Sequence, residues 1–325
     1  MRSEEASYVP VCCFVFGDCQ RALGSQSMTA SLPPTTRSGN MTGIGLMVLA
    51  TMAMVIQHSM VKQLAGELSI LEIVFFRTVA ALLFFMPWIS RSGLAIFQTD
   101  KLGLHLLRAF FQSCSAFAFF LGLAIVPLAT VTALHFTTPL FAVLIGIITL
   151  GERVSIRRWT AIAAGFVGTL IILRPNGGSL GYGELLVLGS AVAWAAAIIV
   201  IKILGRTDSS ITITAYMYLL MTPITLIAAV FDWRWPTGQQ YLWLLGIGLT
   251  GALGHVFTAE ALKRAPTHVV TPLDFFRLVW ATLIGLLLFD EAADFYVWGG
   301  GAIVIASVSY IVLREHQVSA VRRRL

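Results

Sequence analysis

Ionisable side chains are scarce in the long apolar stretches of this sequence, so each one found there is a candidate for chemistry. His135 and Asp274 are the first pair. An ionisable group in an apolar span is costly to keep and commonly marks a ligand or proton path. An imidazole and a carboxylate can hold polar atoms of a ligand or exchange a proton. The local alternative pairs Asp274 with Arg277 one helical turn on, and lets His135 bond a backbone carbonyl freed near Pro139. Arg77 and Arg108 lie roughly seven residues inside their stretches, about 10 Å deep at 1.5 Å per residue. They could clamp an anion, but pairing with Glu72 or snorkelling is the favoured reading. Gln57, His58 and His255 interrupt apolar runs without an obvious local partner and are candidate cavity residues. Glu260, beside Lys263 and Arg264, reads instead as a solvated local pair.

Aromatic residues are dense, and most of them read as packing or lipid-facing. Trp194 and Trp280, central in their stretches, are best placed to stack against a planar ligand. Other motifs carry no chemistry. GIGLTG at 246–251 fits G-x-G-x-x-G, but no strand precedes it and it lies within an apolar span, where small residues let helices approach closely. The triple Gly299, Gly300 and Gly301 has the same reading. No P-loop, HExxH or nucleophile elbow occurs. Three of the four cysteines fall near the start and Cys114 stands alone, without CxxC spacing, so neither a zinc site nor a structural disulfide is expected. No cofactor is implied, and the chain does not read as an enzyme.

The elements that position these groups follow from composition. Hydrophobic residues make up 57% and charged residues 12% of the 325, against about a quarter charged in soluble domains. A span needs ~20 apolar residues. Ten stretches qualify, at 42–63, 70–90, 102–124, 129–150, 157–174, 182–203, 211–231, 241–262, 268–289 and 295–313. The expected fold is therefore an all-α polytopic membrane protein. With the N-terminus inside, the inner links and tail carry thirteen Lys and Arg, and the outer links only Lys62, Arg174 and Arg234. Both termini are thus expected to be cytoplasmic. The net charge of +6 reports topology, with no nucleic-acid partner. Residues 1–40 read as a disordered leader, with Met28 or Met41 as alternative starts, and 315–325 as a basic tail.

Shifting the sequence by 139 residues aligns Pro127 with Pro266, Thr132 with Thr271, Phe136 with Phe275, Gly146 with Gly285, Glu152 with Glu291 and Trp159 with Trp298. His135 falls on Asp274. The sequence is a repeat of five helices, 41–175 and 181–314. Five is odd, so the second copy is expected to cross the membrane inverted. That accounts for one ancestral link being basic in GERVSIRR and acidic in DEAADF. Inverted repeats are the architecture of alternating access, with substrate near the bilayer midplane.

The stretch AIVPLATVTALHFTTPLFAVLIGIITLGERVSIRRWTAIAAGFVG, with FFRTVAAL and LLRAFFQSCSAFAFF before it, resembles the EamA-like branch of the drug/metabolite transporter superfamily. The resemblance covers 42–313 in two copies. It implies a ten-helix carrier in a bacterial inner membrane, monomeric or homodimeric, with a small-molecule substrate and the lipid bilayer as partners. A riboflavin-importing subgroup supplies the lead cargo. Export of amino acids or related metabolites is the alternative, and an intramembrane enzyme using His135 and Asp274 a remote one. A proton is a candidate coupling ion. Leu278 stands where the first copy has Pro139, so the two halves need not bind alike.

Overall fold

The computed structural model describes residues 37–91, 99–150, 156–173, 181–205, 207–208, 210–264 and 271–322. The leader up to residue 36 and most of the GERVSIRR link lie outside them. No strand occurs among the described residues. The helices are α1 (Arg37–Leu64), α2 (Ile70–Arg91), α3 (Leu102–Ile125), α4 (Leu128–His135), α5 (Thr138–Leu150), α6 (Ile156–Leu173), α7 (Tyr182–Leu204), α8 (Ser210–Val230), α9 (Gly238–Arg264), α10 (Phe276–Phe289) and α11 (Phe295–Arg322). A 3-10 turn, Thr271–Phe275, leads into α10. Helix is the expected outcome for apolar runs of this length, because a lone span in lipid must satisfy its backbone internally.

Seven described helical spans are long and apolar enough to cross a membrane, and Trp159–Leu173 and Phe295–Tyr310 form shorter apolar helices. The stretch expected as one helix at 129–150 is broken after His135. Pro139 falls in the first turn of α5, where its missing N–H costs nothing. The hydroxyls of Thr137 and Thr138 donate to the carbonyls of Leu134 and His135 at 2.7 and 2.8 Å. His135 thus ends a helix inside the apolar layer, and its own carbonyl is served by Thr138.

Helix pairing crosses between the two sequence copies. The most extensive contacts are α1 with α9, α3 with α7, and α6 with α11; α2 meets both α8 and α9, while α10 packs on α1 and α4. Small residues make these approaches possible. A Cβ on Gly248 would lie 2.3 Å from the Cβ of Ala80 on α2, and one on Gly300 would lie 2.5 Å from the carbonyl oxygen of Gly168 on α6. Both glycine clusters singled out in the sequence therefore act in helix packing. Outward-facing apolar side chains such as Leu49, Leu83, Ile148, Leu170 and Leu287 are exposed. So broad an apolar surface suits lipid, not water.

Polar ties close the two ends of the bundle. At one end Lys62 of α1 bridges to Glu291, while Glu72 of α2 accepts a hydrogen bond from the backbone amide of Arg234 at 2.6 Å. At the other, Asp208 between α7 and α8 is bonded by His105 of α3 at 2.7 Å and by Thr99 at 2.8 Å. Tyr216 of α8 stacks on the His105 ring, with centroids 4.5 Å apart. Glu260 pairs with Arg264 at 2.9 Å, the local pair its spacing suggested.

Candidate functional site

A small cavity of about 10 Å³ lies where the copies meet, lined by His58, Phe119, Thr132, His135, Phe136 and Arg277. That is room for about one water. Four helices and the break after α4 supply its wall: α1 gives His58, α3 gives Phe119, α4 gives Thr132 and His135, and α10 gives Arg277. His135 is the last residue of α4, and its ring lines the cavity one turn on from Thr132.

Phe119 stands between two imidazoles. Its ring centroid is 4.8 Å from that of His58 and 4.9 Å from that of His135. The Nδ1 of His58 is buried without a hydrogen-bond partner in the protein. Such groups are rare in folded proteins and ask for an explanation, a ligand or water being the usual one. Phe136 meets Phe275 edge to face at 5.1 Å. These two residues are partners under the 139-residue shift, so equivalent positions of the copies touch.

Arg277 carries the positive charge of the cavity. Its Nη2 and Nε both donate to Oδ1 of Asp274, at 2.5 and 2.8 Å. His58, His135 and His255 all lie within its electrostatic reach. Arg77 sits over the Phe120 ring at 5.0 Å and acts on His58, His255 and Tyr218. Of the sequence candidates, the structure thus brings His58, His135, Arg277 and Asp274 together around one cavity, with Arg77 behind Phe120.

The remaining candidates have other settings. Gln57 is buried and donates from Nε2 to the carbonyl of Ile247 at 3.0 Å, tying α1 to α9. Trp194 packs with Phe141, Ala142 and Ile198 between α5 and α7. Trp280 donates from Nε1 to the Thr51 hydroxyl at 3.3 Å, joining α10 to α1. Arg108 is buried and donates to the carbonyl of Ile213 and to the Met217 sulfur on α8. His255 is exposed. Phe119, Thr132 and Phe136 were not among the sequence candidates, although Phe136 and Thr132 were visible as repeat-matched positions. Gln112, whose Oε1 is buried without a hydrogen-bond partner, carries the signal that Gln57 does, a polar side chain inside an apolar run, and was passed over.

Chemically, the cavity offers aromatic faces, two imidazoles and a guanidinium. Among the described residues, no three His, Cys, Asp or Glu gather as metal ligands. The arrangement is suited to holding a ligand.

Two consecutive matches to the EamA-like transporter family model cover residues 41–174 and 181–313. The chain belongs to the EamA-like transporter family. A Vibrio cholerae protein named riboflavin transporter is 34% identical over 248 residues, which span 75% of this chain and 83% of that one. A Rhizobium johnstonii protein of the same name is 35% identical over 236 residues, 72% of this chain and 78% of that one. A Rickettsia felis S-adenosylmethionine uptake transporter is 25% identical over 275 residues, 85% of this chain and 94% of that one. Membership of this family makes the chain a multi-pass membrane transporter of a small metabolite.

Proposed function

We propose that this EamA-like chain imports riboflavin or a closely related planar metabolite across a bacterial inner membrane. The observation that carries the cargo is its similarity to two riboflavin transporters at 34% and 35% identity over about three quarters of the chain. The cavity chemistry supports it. Phe119 and Phe136 supply faces for a fused-ring system, while His58, His135 and Arg277 supply polar groups for its carbonyl and ring-nitrogen edge. The S-adenosylmethionine relative favours a second cargo, and its name supports uptake as the direction. A sulfonium cation, however, would be opposed by Arg277 and Arg77, and the nearby Asp274 carboxylate is already held by Arg277.

The mechanism we infer is alternating access between two inverted five-helix copies, ten spans in all with both termini cytoplasmic. Two observations support the symmetry. The α1–α9 contact has its counterpart in α7–α3, as an exchange of copies requires, and Phe136 touches its own equivalent, Phe275. A cavity of about 10 Å³ is far too small for a three-ring metabolite, which supports reading the structure as a closed state. Loading then requires the copies to part around His135 and Arg277, and a proton carried on His58 or His135 is the coupling ion that this wall would allow.

The test is uptake of labelled riboflavin by a riboflavin-auxotrophic bacterium producing the chain, beside His135→Ala and Phe119→Ala variants at equal membrane levels. Saturable uptake reduced about tenfold or more in both variants is expected, the loss of about 1.4 kcal/mol or more of binding. Uptake equal to the empty-vector control overturns the riboflavin reading and leaves the family assignment intact.

A further inference from the structure

One buried charge cluster lies away from the cavity and joins the two copies at a single point. Lys62, near the end of α1, places Nζ 2.5 Å from Oε1 of Glu291, with side chains 9% and 20% exposed. The same Nζ donates to the carbonyl of Val126 at 2.7 Å and lies 5.5 Å from the centroid of Phe289. The other oxygen, Oε2 of Glu291, accepts from the backbone amide of Leu128 at 2.9 Å. That amide is one of the first donors of α4, which the helix itself cannot satisfy. A carboxylate at a helix N-terminus is also favoured by the helix dipole.

The cluster therefore fastens three things at once. It holds the end of α1, the start of α4 and the link after α10, whose turn is fixed by Asp290 in the left-handed region at φ 52° and by the Glu291 amide bonding the Gly285 carbonyl. Those are the helices that carry His58, His135 and Arg277. Residues 62 and 126–128 belong to the first copy and residues 289–291 to the second. Parting the copies at this end thus requires the Lys62–Glu291 pair to break, and breaking it frees α4 and α10 at the ends remote from the cavity. The neighbouring inter-copy ties here are the Glu72 bond to the Arg234 amide and an exposed one from Gln240 to Glu67.

We propose that Lys62 and Glu291 form the latch that keeps the outer side of the carrier closed, and that its opening admits cargo to the cavity. The proposal rests on the alternating-access reading and on the cytoplasmic placement of the termini. A pair this shielded is held firmly while intact, yet removal of one partner leaves a charge in a poor environment. Its loss shifts the closed–open balance toward open by about tenfold or more.

The experiment introduces Ala129→Cys beneath the latch in a chain whose four native cysteines are replaced by Ser, in intact cells. A membrane-impermeant maleimide is added outside, and riboflavin uptake is recorded in the same cells. Labelling of Cys at 129 is expected to be slow in the parent, about tenfold faster with Lys62→Gln or Glu291→Gln, and slow again with Lys62→Arg, which keeps a charged donor for both Glu291 and the Val126 carbonyl. Slow labelling with Lys62→Arg beside fast labelling with Lys62→Gln separates a latch from a folding defect. Equal labelling rates in the parent, Lys62→Gln and Glu291→Gln overturn the latch. Labelling only after the reagent is let into the cytoplasm overturns it too, because this end would then face inward. Latch-dependent labelling without any riboflavin uptake supports the latch and removes the cargo alone.

Discussion

Asp274→Asn tests how the cavity charge is organised. Arg277 gives two hydrogen bonds to one oxygen of Asp274, and the side chains are 22% and 13% exposed respectively. An exposed pair contributes about 0.2–1 kcal/mol, and removing one partner of a fully buried pair costs about 3–5 kcal/mol. This pair lies between those limits, so the amide is expected to cost about 2 kcal/mol of stability. Much of that cost is the guanidinium left without its carboxylate beside the two cavity imidazoles. The double variant Asp274→Asn with Arg277→Gln should therefore be more stable than the single change, with a coupling of about 1 kcal/mol or more. Reversible unfolding in mixed micelles, read by tryptophan fluorescence for all four corners of the cycle, gives the value. Additive losses would refute the reasoning, and would mean that Asp274 acts on something other than Arg277.

Three further outcomes follow. Gly248→Ala must push α9 from α2 by more than about 1 Å to restore an ordinary carbon contact, at about 1–3 kcal/mol, because its Cβ would meet that of Ala80 at 2.3 Å; Gly246→Ala, facing the flexible end of Met60, should change thermal stability much less in the same assay. Trp194→Ala should lower stability by about 1–3 kcal/mol, less than a fully buried ring would cost, while leaving the riboflavin KM of the surviving protein unchanged, since the half-buried Trp194 packs at the α5–α7 contact. For Asp208, burial alone would raise the carboxyl pKa, but bonds from His105, Thr99 and Thr207 outweigh it and hold it below the ordinary 3.8; the folded value being the lower one, this stabilisation is full above about pH 4 and fades as pH falls through the folded pKa. Asp208→Asn should consequently flatten the acid limb of the stability profile.

How far the sequence could be read differs from element to element. Helices α1, α2, α3, α7, α8 and α9 follow from run length alone, because an apolar stretch of spanning length has few alternatives in lipid. The break inside 129–150 was harder to see. Pro139 is tolerated in a first helical turn, and nothing in composition says that the turn begins at Thr138 instead of ten residues earlier. For the site, an ionisable group in an apolar run pointed to His58, His135, Asp274 and Arg277, and these converge. The same rule says nothing about direction around a helix axis, so Gln57 and Trp280 could not be told from cavity residues before their bonds to Ile247 and Thr51 were known. Phe119 was hidden among many aromatics, since only packing reveals which ring lies between two imidazoles. Lys62 and Glu291 are 229 residues apart, and only the fold brings them together.

Purified chain in proteoliposomes, loaded with no cargo and given radiolabelled riboflavin, tests the central claim most directly. The account predicts saturable entry that excess unlabelled riboflavin suppresses and excess S-adenosylmethionine does not, and that His135→Ala abolishes. Entry no faster than into protein-free liposomes, or entry unaffected by His135→Ala and Phe119→Ala together, would contradict it.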